Sequence, residues 1–392
     1  DPVSEALARL LAERRETVAI VRPGDNFSKE NNEYRVAPDS VEDFETLFET
    51  LGEMPVHILD GWPMASAVDG QAGLFDAAFC LVRTIQSVDP AEDVRVTFIG
   101  SGGVSVKGED IPYPALATLI GPVRVAPREV PGLHCQYVDS EAGEDPFWLA
   151  KAILDEQDGA TSDDLIAFRG RQRYAQALEK LSVSPADEVP KRLKENGRYV
   201  ITGGAGGIGI TLARYLGVRA RAKIALIGRS TFPPRSEWEG LLARSSVSLQ
   251  SVVIQAIREI EAAGGEVLLV SADVTDRQAL KSALETIREA FGGIDGLFHG
   301  AGLMDDAPML GKGLEDTHRV LAPKVTGGAN LAALLPDGSL DFFAVFSSTS
   351  VVTAPPGQVD YVAANSYLES LAAARRDGLA ISWGVWRDVG MA

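Results

Sequence analysis

Five glycines crowd into the seven residues from Gly203 to Gly209, and their neighbours leave few folds open to such a chain. Ahead of them runs a short apolar stretch of strand character, Tyr199-Val200-Ile201-Thr202. Behind them Ile208, Leu212, Tyr215 and Leu216 recur on one helical face. A second apolar strand, Lys223 to Ile227, ends at Gly228-Arg229-Ser230. Strand, glycine-rich turn, helix and strand make the βαβ start of a dinucleotide-binding fold, in which backbone N–H groups and a helix N-terminus hold a pyrophosphate. Gly204-x-Gly206-x-x-Gly209 means little alone; its place between a strand and a helix gives it weight. The other reading is a tight structural turn with no ligand.

The end of the second strand selects the cofactor. A fold built for NAD places Asp or Glu there, about 20 residues past the glycines, to bond the ribose 2′-hydroxyl. This chain has Arg229 and Ser230, a cation and a hydroxyl suited to a 2′-phosphate, which points to NADPH. A solvated surface arginine is the alternative.

Length and composition set the outer limits. With 392 residues there is material for two or three domains. A net charge of −18 disfavours nucleic acid and anionic membranes as partners. No apolar run reaches the length of a membrane span, and no signal peptide opens the chain. Two cysteines, Cys80 and Cys135, and four histidines leave no material for a disulfide framework or a zinc cluster, so the expectation is a cytoplasmic, metal-free protein. The first residue, Asp1, and the end at Met391-Ala392 read as cuts from a longer polypeptide.

The first 185 residues alternate β and α signals. Strands are expected over 17–21, 34–37, 56–59, 94–99 and 134–138, with a strand pair over 165–168 and 173–181. Helices are expected over 41–51, 70–88, 115–120 and 147–156. This pattern predicts a parallel-sheet unit of its own. Its glycine loop, Gly100-Ser101-Gly102-Gly103, lacks the third motif glycine, since Ser105 stands there, and no helix follows over 104–112. That loop is structural in this reading, and the unit has the shape of a Rossmann half without its chemistry. Ser182 to Gly197, with two prolines and a charge run, marks the boundary, so residues 1–190 form one subdomain and 191–392 the other.

Beyond the boundary the alternation is regular. Strands are expected over 266–270, 295–298, 340–346 and 380–383, and helices over 277–291, 320–335 and 361–376. In an open parallel sheet ligands lie beyond the carboxyl ends of the strands. Those ends are the glycine turn, Arg229, Asp273-Val274, His299 to Gly302 and Ser347-Ser348, with Tyr361 opening the next helix and Asn365 one turn later. Carbonyl reduction needs a hydride source and an acid for the alkoxide oxygen. A tyrosine serves when a nearby ammonium lowers its pKa, and a serine hydroxyl can hold the carbonyl.

Thr202 to Gly209 (TGGAGGIG), His299 to Gly302 (HGAG), Pro323 to Leu331 (PKVTGGANL), Phe346 to Ser348 (FSS) and Gly357 to Asn365 (GQVDYVAAN) resemble short-chain dehydrogenase/reductases. More narrowly, the chain resembles the ketoreductase domains of modular type I polyketide synthases. Most short-chain dehydrogenases carry Y-x-x-x-K on one helix; here the fourth residue after Tyr361 is Asn365. The lysine comes from upstream as Lys324, 24 residues before Ser348 and 37 before Tyr361, which is similar to the ketoreductase arrangement. Arg169 to Tyr174 (RGRQRY) and the terminal W-G-V-W stretch resemble that family too.

The resemblance implies two Rossmann-like subdomains, an N-terminal truncated structural one and a C-terminal catalytic doubly wound parallel sheet. It implies that Tyr361 protonates a β-keto oxygen, that Ser348 bonds the same oxygen, and that Lys324 lowers the tyrosine pKa and touches the nicotinamide ribose, with Asn365 completing the relay. Gly204, Gly206 and Gly209 hold the pyrophosphate, and Thr202, Gly207, Ile208, His299, Gly300 and Ala301 also belong to the cofactor site. Arg229 and Ser230 take the 2′-phosphate, and Asp273 and Val274 flank the adenine. The implied substrate is a β-ketoacyl chain on the phosphopantetheine of an acyl carrier protein, with further synthase domains in the same polypeptide. A catalytically silent architectural module and a free-standing reductase of small ketones are the other readings.

Handedness has its own signature. Leu303-Met304-Asp305-Asp306 resembles the L-D-D motif of ketoreductases that give the D-configured hydroxyl (B-type), with Asp306 18 residues before Lys324. The opposite class carries tryptophan eight residues before the tyrosine, where this chain has Thr353, and Ala363 resembles the subclass without epimerisation. Met304, Asp305 and Asp306 are thus assigned to substrate orientation.

Overall fold

The computed structural model describes residues 1–64, 73–159, 163–182, 192–244, 248–387 and 389. Most of the expected boundary over 182–197, the start of the helix expected at 70 and the last residues of the chain therefore lie outside the described residues. Two compact units emerge. The first comprises Asp1–Glu179, Asp305–His318 and Ser350–Ser370; the second comprises Lys180–Met304, Arg319–Thr349 and Leu371–Ala392.

The first unit opens with the helix Pro2–Glu13, absent from the expected elements although its start is marked. Asp1 caps it, accepting hydrogen bonds from the N–H groups of Val3 and Ser4 at 3.0 Å, and Pro2 takes the first helical position. Its buried Val3 and Leu7 join Ile99, Val138, Leu149, Ile153 and Ile166 in one core. A small sheet follows: β1 (Ile20–Pro23), β2 (Ser28–Glu30) and β3 (Glu33–Val36), in the order β1-β3-β2. The larger sheet holds β4 (His57–Asp60), β5 (Val94–Ser101), β6 (Leu133–Ser140), β7 (Leu165–Arg169) and β8 (Gln172–Ala175), in that spatial order. Strands β4 to β7 run parallel; β8 returns antiparallel through Gly170 and Arg171, whose positive φ angles of 55° and 64° suit a two-residue hairpin turn.

Strands β4 to β8 lie in sequence order, so among the described residues the order of this sheet does not reverse as it does at the switch point of a doubly wound sheet. Its glycine loop is filled from within. The Gly103 N–H donates to Asp139 Oδ1 at 2.9 Å, and Tyr137 donates to the same oxygen at 2.8 Å. Arg169 donates to the other carboxylate oxygen at 2.6 Å and to Glu109 at 2.6 Å. Asp139 is fully buried, so removing Arg169 would strand a charge at a cost of about 3–5 kcal/mol.

The second unit is one sheet of six parallel strands: β9 (Arg198–Thr202), β10 (Lys223–Gly228), β11 (Glu266–Ser271), β12 (Gly296–His299), β13 (Phe342–Ser348) and β14 (Gly378–Trp383). Their spatial order is β11-β10-β9-β12-β13-β14, the doubly wound arrangement, with its switch between β9 and β12. The central strands are buried on both faces, which is why they read as unbroken apolar runs. Their core includes Tyr199, Ile201, Ile224, Leu226, Ile254, Ile257 and Phe342.

Further helices also differ from expectation. Leu249–Ala262, capped by Ser248, is not among the expected elements, although Val253, Ile254, Ile257 and Ile260 bury one face. Ile120–Glu129 continues past the short helix expected at 115–120; Pro122 lies in its first turn and Pro127 in its last, and both obscure it. The single helix expected over 320–335 is two, Leu314–Leu321 and Val325–Leu334, broken at Pro323, which lacks the N–H a continuous helix needs. Among the described residues no helix is long and apolar enough to cross a membrane.

Candidate active site

In the second unit the expected residues collect at the carboxyl ends of the strands. Strand β9 ends at Thr202 and the glycine turn follows. Gly203 adopts φ +67°, and a Cβ there would lie 2.7 Å from the Gly300 carbonyl oxygen. At Gly204 a Cβ would lie 2.8 Å from the Ile201 oxygen, and at Gly209 it would lie 2.6 Å from the Gly203 oxygen. These glycines let the turn, the helix Gly207–Ala220 and the 300–301 segment close on one another. That helix starts from Gly206 with no side chain capping its first N–H groups. The cradle therefore fits a pyrophosphate: an uncapped helix N-terminus reached through backbone that side chains would block. Ile208 is half-buried above the turn.

Arg229 and Ser230 follow β10 directly and are exposed. The Arg229 carbonyl accepts from the Ser271 hydroxyl at 3.0 Å, which fixes the arginine backbone against the end of β11. Asp273 turns inward on its own loop, accepting from the Thr275 N–H at 2.8 Å and hydroxyl at 2.7 Å. Val274 is buried, and its carbonyl accepts from Asn330 at 3.0 Å.

Across the switch, Thr202 Oγ1 lies 2.7 Å from His299 Nδ1, and the Ala301 N–H donates to the same hydroxyl at 3.4 Å. His299 is fully buried, and its pKa is lowered to about 3 by burial first and by the Lys324 ammonium second, so the ring is neutral. Lys324 stands at the start of the helix Val325–Leu334, in the break left by Pro323. It is 3% exposed, burial lowers its pKa to about 8, and its ammonium donates to the Phe346 carbonyl at 2.9 Å. Gly302 makes room for it, since a Cβ there would lie 3.0 Å from Lys324 Cε. Two residues beyond Phe346, Ser348 ends β13, buried at 8% exposure and paired in register with Trp383. A buried cation is thus delivered to the strand that ends in the serine.

Tyr361, Asn365, Asp305 and Asp306 belong to the first unit. Tyr361 lies in the first turn of the helix Val359–Ala373, 8% exposed. Asn365 is fully buried and its amide donates to the Tyr361 backbone carbonyl at 2.7 Å, so the pair share a helix face as their spacing predicts. Asp306 accepts from Gln358 Nε2 at 2.7 Å, tying the acidic loop to the turn before Tyr361. Met304, half-buried, is the last residue of the second unit before that loop.

Sequence reasoning missed a buried ion pair beside the tyrosine. Lys312 Nζ lies 2.5 Å from Asp360 Oδ2, both side chains being about 2% exposed or less, and Asp360 Oδ1 accepts from the Tyr361 N–H at 2.8 Å. Asp360 is visible as the neighbour of Tyr361, but nothing local points to a lysine 48 positions away.

Residues 197–388 match the family model described as "KR domain". The chain belongs to the ketoreductase domains of polyketide synthases. It is 31% identical over 317 residues to one of the phenolphthiocerol/phthiocerol polyketide synthase polypeptides of Mycobacterium tuberculosis, covering 80% of this chain and 16% of that one. It is 32% identical over 289 residues to polyketide synthase PksL of Bacillus subtilis, covering 70% of this chain and 6% of that one. The ketoreductase thus spans a small part of these relatives, which are large synthases. Among solved structures, the first ketoreductase of the tylosin synthase superposes with a TM-score of 0.75 at 25% identity, over 100% of this chain and 78% of that one. A structure of A-type ketoreductases from a modular polyketide synthase gives 0.74 at 27%, over 92% and 75%. Family membership indicates a reductase of the kind that uses a nicotinamide cofactor, acting on keto groups in polyketide synthesis.

Proposed function

We propose that this ketoreductase reduces the β-keto group of an acyl-carrier-protein-bound polyketide intermediate with NADPH, giving the D-configured β-hydroxyl. The observation that carries the reading is Lys324: a buried cation supplied from outside the tyrosine helix and bonded to the strand that ends in Ser348. In this reading residues 1–190 are structural and the catalytic part is 191–392, although 305–318 and 350–370 pack with the first unit.

Each residue then has a task. The N–H groups of the turn from Gly204 to Gly209 receive the pyrophosphate, with Thr202, His299, Gly300 and Ala301 shaping the adjoining wall. Arg229 and Ser230 receive the 2′-phosphate, and Asp273 and Val274 border the adenine. Bound NADPH supplies the hydride. Ser348 donates a hydrogen bond to the ketone oxygen, and Tyr361 gives that oxygen its proton as charge develops there. Lys324, with its pKa near 8, is mostly cationic at neutral pH; its charge favours the tyrosinate left after transfer, and Asn365 completes the proton relay. Met304, Asp305 and Asp306 steer the entering phosphopantetheine arm, and so the ketone face that is reduced.

The test is NADPH consumption on a β-ketothioester surrogate, with chiral chromatography of the product. Tyr361→Phe should abolish turnover and leave NADPH affinity near that of the parent, because the hydroxyl acts only where charge develops. Near-normal turnover in that variant would return Tyr361 to a structural role, and a predominantly L-hydroxy product would sink the assignment of the acidic loop.

A further inference from the structure

Glu129 breaks a local rule. It is the last residue of the helix Ile120–Glu129, where the macrodipole is negative and a carboxylate is disfavoured. Such a placement calls for a compensating role elsewhere. Its two oxygens reach two separate segments of the first unit: Oε2 accepts from the Met309 N–H at 2.8 Å, and Oε1 accepts from the Gly357 N–H at 2.7 Å. Met309 is fully buried three residues after Asp306. Gly357 lies four residues before Tyr361, at φ +86°.

The two segments also hold each other. The Ala307 N–H donates to the Gly357 carbonyl at 3.1 Å, Gln358 donates to Asp306 at 2.7 Å, and Lys312 pairs with Asp360 at 2.5 Å. Glu129 differs from these links because it comes from a third element. The same helix touches the tyrosine segment at two further points, with Gly121 against Val359 and Ala363 and with Arg124 donating to the Val351 carbonyl at 2.8 Å. The two segments are therefore fastened to each other and to a rigid helix, and one carboxylate makes both attachments at the end nearest Met309 and Gly357.

We propose that Glu129 is a positioning residue for facial selectivity: it fixes the acidic loop against the turn that leads to Tyr361. This inference rests on the ketoreductase reading above. Two oxygens are needed, one for each N–H. Glu129→Gln keeps the size but leaves one acceptor and turns an NH2 group towards the second N–H. Asp is too short to reach both.

The experiment compares the parent chain with Glu129→Gln and Glu129→Ala by peptide-level hydrogen exchange and by the product configuration from a β-ketothioester surrogate. In Glu129→Ala exchange over both 305–311 and 354–360 should quicken by about tenfold, since one hydrogen bond is lost in each segment, and in Glu129→Gln exchange should quicken in at least one of them, with β5 and β6 unchanged in both variants. The minor hydroxy epimer should rise about tenfold while the Michaelis constant for NADPH stays within about twofold. Unchanged exchange in both segments, or an unchanged epimer ratio in both variants of an active enzyme, would overturn the proposal. A parent chain that reduces nothing would fail the functional reading instead. Even then, quickened exchange confined to the two segments would support the staple, and uniform quickening would reject it.

Discussion

The hydroxyl of Thr202 lies 2.7 Å from Nδ1 of His299, and the two residues end adjacent parallel strands where the order of the six-stranded sheet reverses. This buried polar link joins the glycine turn to the 299–302 segment at the topological switch point of that sheet. The burial of His299 also makes the fold acid-sensitive. His299 has a folded pKa of about 3 against an ordinary value of 6.5. As pH falls from 6.5 to 3, the unfolded chain takes up a proton that the folded chain refuses, so stability falls. At pH 4.5 this one residue should cost about 2–3 kcal/mol relative to pH 7.5. His299→Gln should remove that part of the acid dependence. Urea denaturation at both pH values checks it, and parallel losses in parent and variant would count against the assignment.

Lys324 has the opposite pH window. Its folded pKa of about 8 lies below the ordinary 10.5, so the folded state binds fewer protons than the unfolded one between those values. Stability from this residue therefore rises with pH through that window and is lowest below pH 8. Between pH 7.5 and pH 10 the parent should gain about 2 kcal/mol relative to Lys324→Met. The same denaturation series, extended to alkaline pH, measures the difference. A constant difference between the two proteins would mean that Lys324 is less desolvated than its burial implies.

Much of this is legible in the sequence, and for identifiable reasons. The helix Arg277–Phe291 appears with the boundaries its pattern predicts, because Asp276 caps one end and Gly292 takes the left-handed conformation at the other. The strand ends carrying Thr202, His299 and Ser348 are readable because a central parallel strand leaves an unbroken apolar run. The sequence pattern wrongly sets Lys324 in mid-helix, since apolar periodicity runs through Pro323 while the backbone cannot. Ile120–Glu129 is hidden by its two prolines. What no local pattern carries is pairing over distance: Lys312 with Asp360, or Glu129 with Met309 and Gly357, joined only by the tertiary fold.

Cofactor preference should follow Arg229, which stands exposed at the end of β10 where an NAD enzyme would carry a carboxylate. Arg229→Asp replaces an attraction for the 2′-phosphate with a repulsion. The Michaelis constant for NADPH should rise by about a hundredfold, and the preference over NADH should narrow or invert. Steady-state kinetics with both cofactors checks it. A parent enzyme that uses the two equally would show that Arg229 plays no part in the choice.

A close steric constraint on the helix of Tyr361 comes from a glycine of another helix. A Cβ on Gly121 would sit 2.2 Å from the Val359 carbonyl oxygen, 2.7 Å from Ala363 Cβ and 3.0 Å from the Ala363 nitrogen. Two of these atoms are backbone, and the third sits on a helix that cannot yield alone, so no rotamer change relieves the clash. Gly121→Ala must instead push the first turn of the helix Val359–Ala373 away, and Tyr361 lies in that turn. Overpacking of this kind costs about 1–3 kcal/mol. The expected phenotype is a folded protein with a lower Tm, turnover down by at least about tenfold and NADPH affinity near that of the parent, because the glycine turn belongs to the other unit. Thermal denaturation and turnover measured together check it. Full turnover in a Gly121→Ala protein would mean that the placement of Tyr361 tolerates movement of its own helix, and its assignment as the proton donor would then lose its geometric footing.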